Sequence, residues 1–302
     1  MLLRVVTYMD IGVVGGGAIG LMISSYLANK HTVTIYVRRH EQKKSINTFG
    51  LYRDGVRCKK NIKAYLIHEM KREEVYLVCV KQPQIKHVLP AIHAMVNNEP
   101  VLFLQNGMGH LEQVGNAKYP ILVGIVEHGA IKLNDYSVKH TGRGTIKVAP
   151  YNKDADMLSY LVEKLDEKSF PVRMFKEWES LLKEKLIINA VINPLTALFH
   201  VRNGYILKVP HIKKLAYLLC MEAASVLKLD PDKSWESVKN VASNTSENIS
   251  SMLNDIKNDQ KTEIEAITGY IMRNSNKEIP NTAFIYHSIK ALEDCYRYIE
   301  KK

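Results

Sequence analysis

Asp10-Ile-Gly-Val-Val-Gly15-Gly-Gly17-Ala-Ile-Gly20-Leu-Met22 is the stretch that decides how this chain folds. Residues 11–14 form a short apolar run that reads as a buried strand, and Leu21, Met22, Tyr26 and Leu27 follow at helical spacing. Between strand and helix the glycines stand in the order G-x-G-x-x-G. Gly15 permits a tight turn, Gly17 lets the backbone approach a pyrophosphate, and Gly20 lets the helix pack closely on the strand. The start of the helix supplies unpaired N–H groups and the positive end of its dipole. Scattered glycines mean little; in this strand–loop–helix order, with a second strand at Thr32–Val37, they specify a Rossmann half with Gly15, Gly17, Ala18, Ile19 and Gly20 against a dinucleotide.

The residues after the second strand choose the nicotinamide cofactor. An acidic side chain there binds the ribose 2′-hydroxyl of NAD, whereas a basic one accommodates a 2′-phosphate. Here the strand runs into Arg38-Arg39. Arg38 can fork onto phosphate oxygens, which favours NADP(H), although an arginine pair of this kind also serves as a plain solvated loop. Residues 50–66 alternate as a hairpin with Asp54-Gly55 as its turn. Apolar strands at 75–80 and 101–104 end in Lys81 and in Gln105-Asn106-Gly107, the carboxyl-end positions from which open α/β sheets bind ligands. Residues 121–150 predict two or three further, partly antiparallel strands, in which His128, His140 and Arg143 read as structural. Residues 154–168 have helical spacing, and residues 171–175 read as the last strand.

From about residue 177 long helical patterns take over. Residues 1–176 therefore read as a Rossmann-type α/β domain and 177–302 as an all-α domain, with the active site expected in the cleft between them. In the second half, Lys185, Asn189 and Asn193 interrupt an otherwise apolar helix. Each step of four residues advances only about 40°, so the three share one stripe. Buried amides and ammonium groups must find partners, because an unpaired one costs about 1–3 kcal/mol. The stripe therefore faces either a neighbouring helix or a ligand. Pro194 is expected to kink or end the helix. Further helices are predicted near residues 212–227, 231–242, 250–256 and 267–273, and a last one after Pro280.

A chain of 302 residues suffices for two domains, and 46% hydrophobic with 24% charged residues is the balance of a soluble globular protein. Lys and Arg outnumber Asp and Glu by 42 to 31, a net charge of +11 that favours anionic partners. No nucleic-acid-binding module and no basic stripe interleaved with aromatics accompanies that charge, so nucleic acid is not an expected partner. Cys58, Cys79, Cys220 and Cys295 form no C-x-x-C pair and have no neighbouring His at ligand spacing. They read as free thiols in a reducing compartment, and no metal is expected. No apolar window is long enough to span a bilayer, and the first residues lack a secretion signal, so a cytoplasmic protein is expected. Met9 serves as well as Met1 for a start, and residues 1–8 read as a loose extension.

One family carries these features together. Gly15-x-Gly17-x-x-Gly20, Lys81, Gln105-Asn106-Gly-Met-Gly, Lys185-x-x-x-Asn189-x-x-x-Asn193-Pro-Leu-Thr, Asn203-Gly204 and Glu247-Asn-Ile-Ser-Ser251-Met-Leu-x-Asp255 before Thr262-Glu263-Ile resemble 2-dehydropantoate 2-reductase, the ketopantoate reductase family. The resemblance runs from about residue 10 to the last helix. It implies NADPH-dependent reduction of ketopantoate to pantoate, on the route to pantothenate and coenzyme A. It implies Lys185 as general acid and alkoxide stabiliser and Glu263 as catalytic carboxylate. Asn189, Asn193, Asn203, Ser251 and Asn106 are implied at the substrate, and Arg38, Lys81 and Asn106 at the cofactor. A reductase of another 2-oxo acid and a non-catalytic NADPH-binding sensor are the alternatives. A homodimer is compatible with an apolar helical half.

Overall fold

The computed structural model of the protein describes residues 8–58, 62–153 and 155–299; of the expected loose extension at residues 1–8, all but Tyr8 lies outside the described residues. Two compact units divide the chain, Met1–Gln105 with Gln113–Leu181, and Asn106–Glu112 with Leu182–Lys302.

In the first unit β1 (Asp10–Val14) leads through the glycine turn into α1 (Ala18–Leu27), and β2 (Thr32–Val37) returns parallel to β1 before α2 (His40–Phe49). The short arms β3 (Tyr52–Arg53) and β4 (Val56–Arg57) precede β5 (Lys63–Leu66), which pairs with β2. Then come β6 (Val75–Val78), α3 (Ile85–Met95), β7 (Val101–Phe103), the single turn α4 (Leu111–Val114) and β8 (Ile121–Val126). β9 (Gly129–Asn134), β10 (Ser137–Gly142), β11 (Ile146–Pro150), α5 (Ala155–Leu165) and β12 (Val172–Met174) complete it. The main sheet has eight strands in the order β12-β11-β8-β7-β6-β1-β2-β5, parallel throughout except between β8 and β11. β6 and β7 are buried at every residue, β1 at all but its first and β8 at all but its last, which is why they read as unbroken apolar runs.

From β1 the chain winds outward through β2 to β5, then starts again on the other side of β1 at β6. That reversal is a topological switch point, and the crevice beyond its strand ends is where such sheets bind ligands. The glycine turn lies there. Gly15 has φ +116°, and a methyl group on Gly20 would run into the Gly15 carbonyl oxygen.

Two sequence expectations need correcting. Asp54 and Gly55 do form a tight turn, both with positive φ, but only β3 and β4 are its arms; β5 joins the main sheet instead. Its alternating burial fits either partner, and nothing local distinguishes them. Residues 121–150 hold four strands rather than two or three. β9 and β10 belong to a separate four-stranded sheet, β4-β3-β10-β9, joined by a turn through Asp135 and Tyr136 that contains no glycine to announce it.

His128 and His140 knit the two sheets' strands together. Gly142 O can only accept, so His140 Nε2 carries the proton, 2.9 Å from that oxygen, and its Nδ1 accepts from the Tyr26 hydroxyl at 2.8 Å. Gly144 N–H donates to His128 Nδ1 at 3.2 Å. Burial, with His140 beside it, pushes the His128 imidazole down to about 4; burial does the same to His110. Between pH 4 and 6.5 the unfolded chain holds protons that these folded imidazoles refuse, so stability rises with pH across that window. Acidification from pH 7 to pH 4.5 is expected to remove about 2–3 kcal/mol per histidine, read as a lower urea midpoint. His110→Gln and His128→Gln variants that keep the full acid sensitivity of the parent would assign the loss elsewhere.

The second unit contains only helices among the described residues. They are α6 (Trp178–Phe199), α7 (Tyr205–Lys208), α8 (Pro210–Leu227), α9 (Pro231–Asn244), α10 (Ser251–Lys257), α11 (Tyr270–Arg273) and α12 (Pro280–Ile299). A π-helical turn, Glu265–Gly269, precedes α11. Asp230 caps α9 by accepting from Lys233 N at 2.8 Å. The Glu222 carboxylate on α8 accepts from the backbone and side chains of both Asn281 and Thr282, which satisfies the start of α12 and pins it to α8. Pro194 does not end α6, which continues to Phe199. None of the described helices is long and apolar enough to cross a membrane.

Candidate active site

In the first unit the glycine turn and the basic residues expected at a cofactor sit at the ends of β1, β2 and β6. β2 delivers Arg38 and Arg39 to the carboxyl edge of the sheet, and there the two part company. Arg39 pairs with Asp135 from the β9–β10 turn and, at 3.9 Å, with Glu41. Arg38 is exposed and makes no hydrogen bond or ion pair among the described residues. Its guanidinium is therefore available to an anion. Lys81 lies exposed just beyond β6, at the start of the Gln82–Gln84 turn. The Gly17 position that begins α1 has no side-chain cap, and a methyl group built on it meets no atom within 4 Å. An uncapped helix start, open space over Gly17 and an uncommitted arginine fit the phosphates of a dinucleotide.

Buried Gln105, just after β7, clamps the end of β6. Its Nε2 donates to Val78 O at 2.7 Å and to Val80 O at 3.0 Å, next to Gly15. The following residues, Asn106–Glu112, belong to the helical unit. There Asn106 Nδ2 donates to Glu263 Oε2 at 3.0 Å. Gly107, with φ +79°, has its backbone pressed against the Ala266 carbonyl, and Met108 N donates to the same oxygen at 3.3 Å. The loop that looked like a strand-end turn is thus held by the segment carrying Glu263.

The polar stripe sits on α6. Lys185 is half-buried, and Asn189 and Asn193 are each 8% exposed. Neither asparagine side chain hydrogen-bonds another protein group among the described residues. Two buried amides without protein partners weigh against a sealed helix–helix seam and for a ligand. One turn further along, the Thr196 hydroxyl donates back to Ile192 O at 2.8 Å and lies 2.7 Å from Ser250 Oγ. Ser250, not Ser251, is the buried N-cap of α10, accepting from Leu253 N at 3.1 Å. Ser251 is left exposed on the first turn. Asn203 is buried and anchored on the same stretch of chain: its N–H donates to Asn248 O at 3.0 Å and its Nδ2 to Thr245 Oγ1 at 2.9 Å.

Glu263 is 8% exposed and stands two residues before the π-helical turn, a feature frequent at functional sites. Its neighbour Thr262 is held by Glu293 of α12, whose Oε1 accepts from the Thr262 N–H at 2.8 Å and from its hydroxyl at 2.7 Å. Burial alone would raise the Glu293 carboxyl, but these hydrogen bonds and Lys290 hold it below the usual range. Sequence reasoning missed Glu293, Thr196, Ser250 and the clamp made by Gln105. A capping serine was the one local clue among them.

A glycine turn at a switch point, an exposed arginine after β2 with no ion pair among the described residues, and a polar stripe in the helical unit are features of the nicotinamide-dependent oxidoreductases. Residues 11–153 match the family model described as ketopantoate reductase PanE/ApbA, and residues 177–293 match that of its C-terminal part. The chain belongs to the ketopantoate reductase family, whose members act as oxidoreductases on CH–OH groups. It is 38% identical over 294 residues to the 2-dehydropantoate 2-reductase of Bacillus subtilis (strain 168), covering 94% of this chain and 98% of that one. The crystal structure of a probable 2-dehydropantoate 2-reductase from Bacillus subtilis superposes with a TM-score of 0.85 at 38% identity, covering 93% of this chain and 99% of that one. D-mandelate dehydrogenase, in a ternary structure with NADH and anilino(oxo)acetate, gives a TM-score of 0.87 at 22% identity over 95% of this chain and 99% of that one; this likeness is one of fold alone.

Proposed function

We propose that this protein reduces 2-dehydropantoate (ketopantoate) to pantoate with NADPH, on the route to pantothenate and coenzyme A. The observation that carries the reading is the pair of buried, unpartnered amides, Asn189 and Asn193, one and two turns beyond Lys185 on α6. When bound, NADPH supplies the hydride that attacks the C2 carbonyl carbon. The carbonyl π pair moves onto oxygen, and Lys185 Nζ stabilises that charge and gives it a proton, to be replaced from water. Asn189, Asn193, Asn203 and Ser251 offer neutral groups to the substrate carboxylate and hydroxyl without adding charge. Glu263, oriented by Asn106, accepts from the terminal hydroxyl. Gly15, Gly17, Ala18, Ile19 and Gly20 would hold the pyrophosphate, and Lys81 and Asn106 would also contact the cofactor.

The deciding measurement is the initial rate of NADPH oxidation with ketopantoate, pyruvate and 2-oxoisovalerate. Turnover confined to ketopantoate supports the reading; NADPH binding with no reduction of ketopantoate sinks it. Arg38 is expected to read the 2′-phosphate. Arg38→Ala should raise the KM for NADPH about 10- to 100-fold, the loss of a charged hydrogen bond, and leave NADH nearly unchanged. Equal losses for the two cofactors would take that role from Arg38.

A further inference from the structure

Gln42 of α2 is buried against the glycine turn, although nothing about its position in the sequence marks it. Its Nε2 donates to Gly16 O at 2.7 Å and to Asp135 O at 3.1 Å. Both partners are carbonyls, which only accept, so the orientation of the amide is fixed with its NH2 end on the turn. A peptide unit is planar and trans, and its C=O and N–H point in opposite directions. With the Gly16 carbonyl held toward α2, the N–H of Gly17 must point away from it. Gly17 is the N-cap residue just before α1, makes no side-chain cap, and is the residue of the G-x-G-x-x-G set around which an added methyl finds nothing within 4 Å.

We propose that Gln42 is a positioning residue for the cofactor: by holding the Gly16 carbonyl from behind, it aims the Gly17 N–H at the pyrophosphate oxygens. Asp135, tied by its side chain to Arg39 and Lys132, presents the second carbonyl that locks Gln42 in place. The proposal rests on the NADPH reading above. It differs from an Arg38-type contact because Gln42 acts on the pyrophosphate and not on the adenosine end.

Gln42→Met keeps most of the side-chain volume and removes the donor. NADPH titrated by fluorescence is expected to bind this variant about tenfold more weakly, with kcat at saturating cofactor within about twofold of the parent. Adenosine 2′-monophosphate, which carries the 2′-phosphate but no pyrophosphate, should bind both proteins equally. Gln42→Glu supplies a second test that does not depend on the methionine variant folding. At pH 7.5 its carboxylate faces the Gly16 oxygen, and NADPH affinity should fall further than in Gln42→Met. NADPH affinity unchanged in Gln42→Met, equal weakening of NADPH and adenosine 2′-monophosphate, or Gln42→Glu binding NADPH as tightly as the parent would each overturn the proposal. Failure of the parent protein to bind NADPH would instead overturn the reading on which it rests.

Discussion

Lys185→Ala is expected to lower kcat for ketopantoate about 1,000-fold or more while NADPH binds as tightly as before. Hydride delivery to a ketone places a full negative charge on its oxygen, and an ammonium aimed there is worth more in the transition state than in the ground state. Lys185 would lose two roles at once. General-acid catalysis contributes typically 10²–10⁴-fold, and one electrostatic donor to an oxyanion 10²–10³-fold, but the two are not additive when one group performs both. Single-turnover rates, with NADPH affinity measured separately, distinguish this from a binding defect. A loss confined to the KM for ketopantoate would leave Lys185 as a substrate anchor and move the proton donor elsewhere. Lys185→Arg keeps the charge but gives up its proton far less readily, so it should recover only a small part of the rate.

Glu263→Ala is expected to lower kcat/KM about 100-fold, and the form of the loss is more informative than its size. Glu263 is buried and already engaged by the Asn106 amide at 3.0 Å, so its removal leaves that half-buried donor without its partner and, on the proposed reading, the substrate hydroxyl without an acceptor. The parent should prefer ketopantoate strongly over 3,3-dimethyl-2-oxobutanoate, the same ketone without the terminal hydroxyl. In Glu263→Ala that preference should largely disappear, because the poorer substrate has nothing for Glu263 to hold. If the ratio of the two kcat/KM values survives the substitution, Glu263 does not read the hydroxyl. Glu263→Gln retains an oxygen for Asn106 and should fall between the two, which separates the lost charge from the collapsed hydrogen bond.

The features legible in the sequence are those with a local repeat. The strand–glycine turn–helix unit is contiguous, and the helix period alone puts Lys185, Asn189 and Asn193 on one stripe of α6. The long helices of the second unit were legible from the same period and from Pro231 and Pro280 at their first positions. Illegible features share a different trait: their partners are far away along the chain. Nothing near residues 50–66 says that β5 leaves the hairpin for the edge of the main sheet. The sequence pointed to Arg38 at the strand end but could not show what becomes of its neighbour; Asp135, brought in from the other sheet, pairs with Arg39, while Arg38 has no such partner among the described residues. Ser251 was named from the sequence, but nothing local says that its neighbour Ser250 is the one held by Thr196 and by the start of the helix.

By itself, then, the sequence determined the fold class, the place of the glycine turn, the polar stripe and the family, since each depends on residue type and short-range spacing. Tertiary structure decided the rest. It gave the loop at Asn106 to the helical unit through Glu263, held Thr262 with Glu293, left the Asn189 and Asn193 side chains without partners among the described residues, and set Gln42 behind Gly16. A hydrogen bond depends on where two groups end up in space, to within a few tenths of an ångström, and spacing along the chain fixes that only for groups on the same helix or turn.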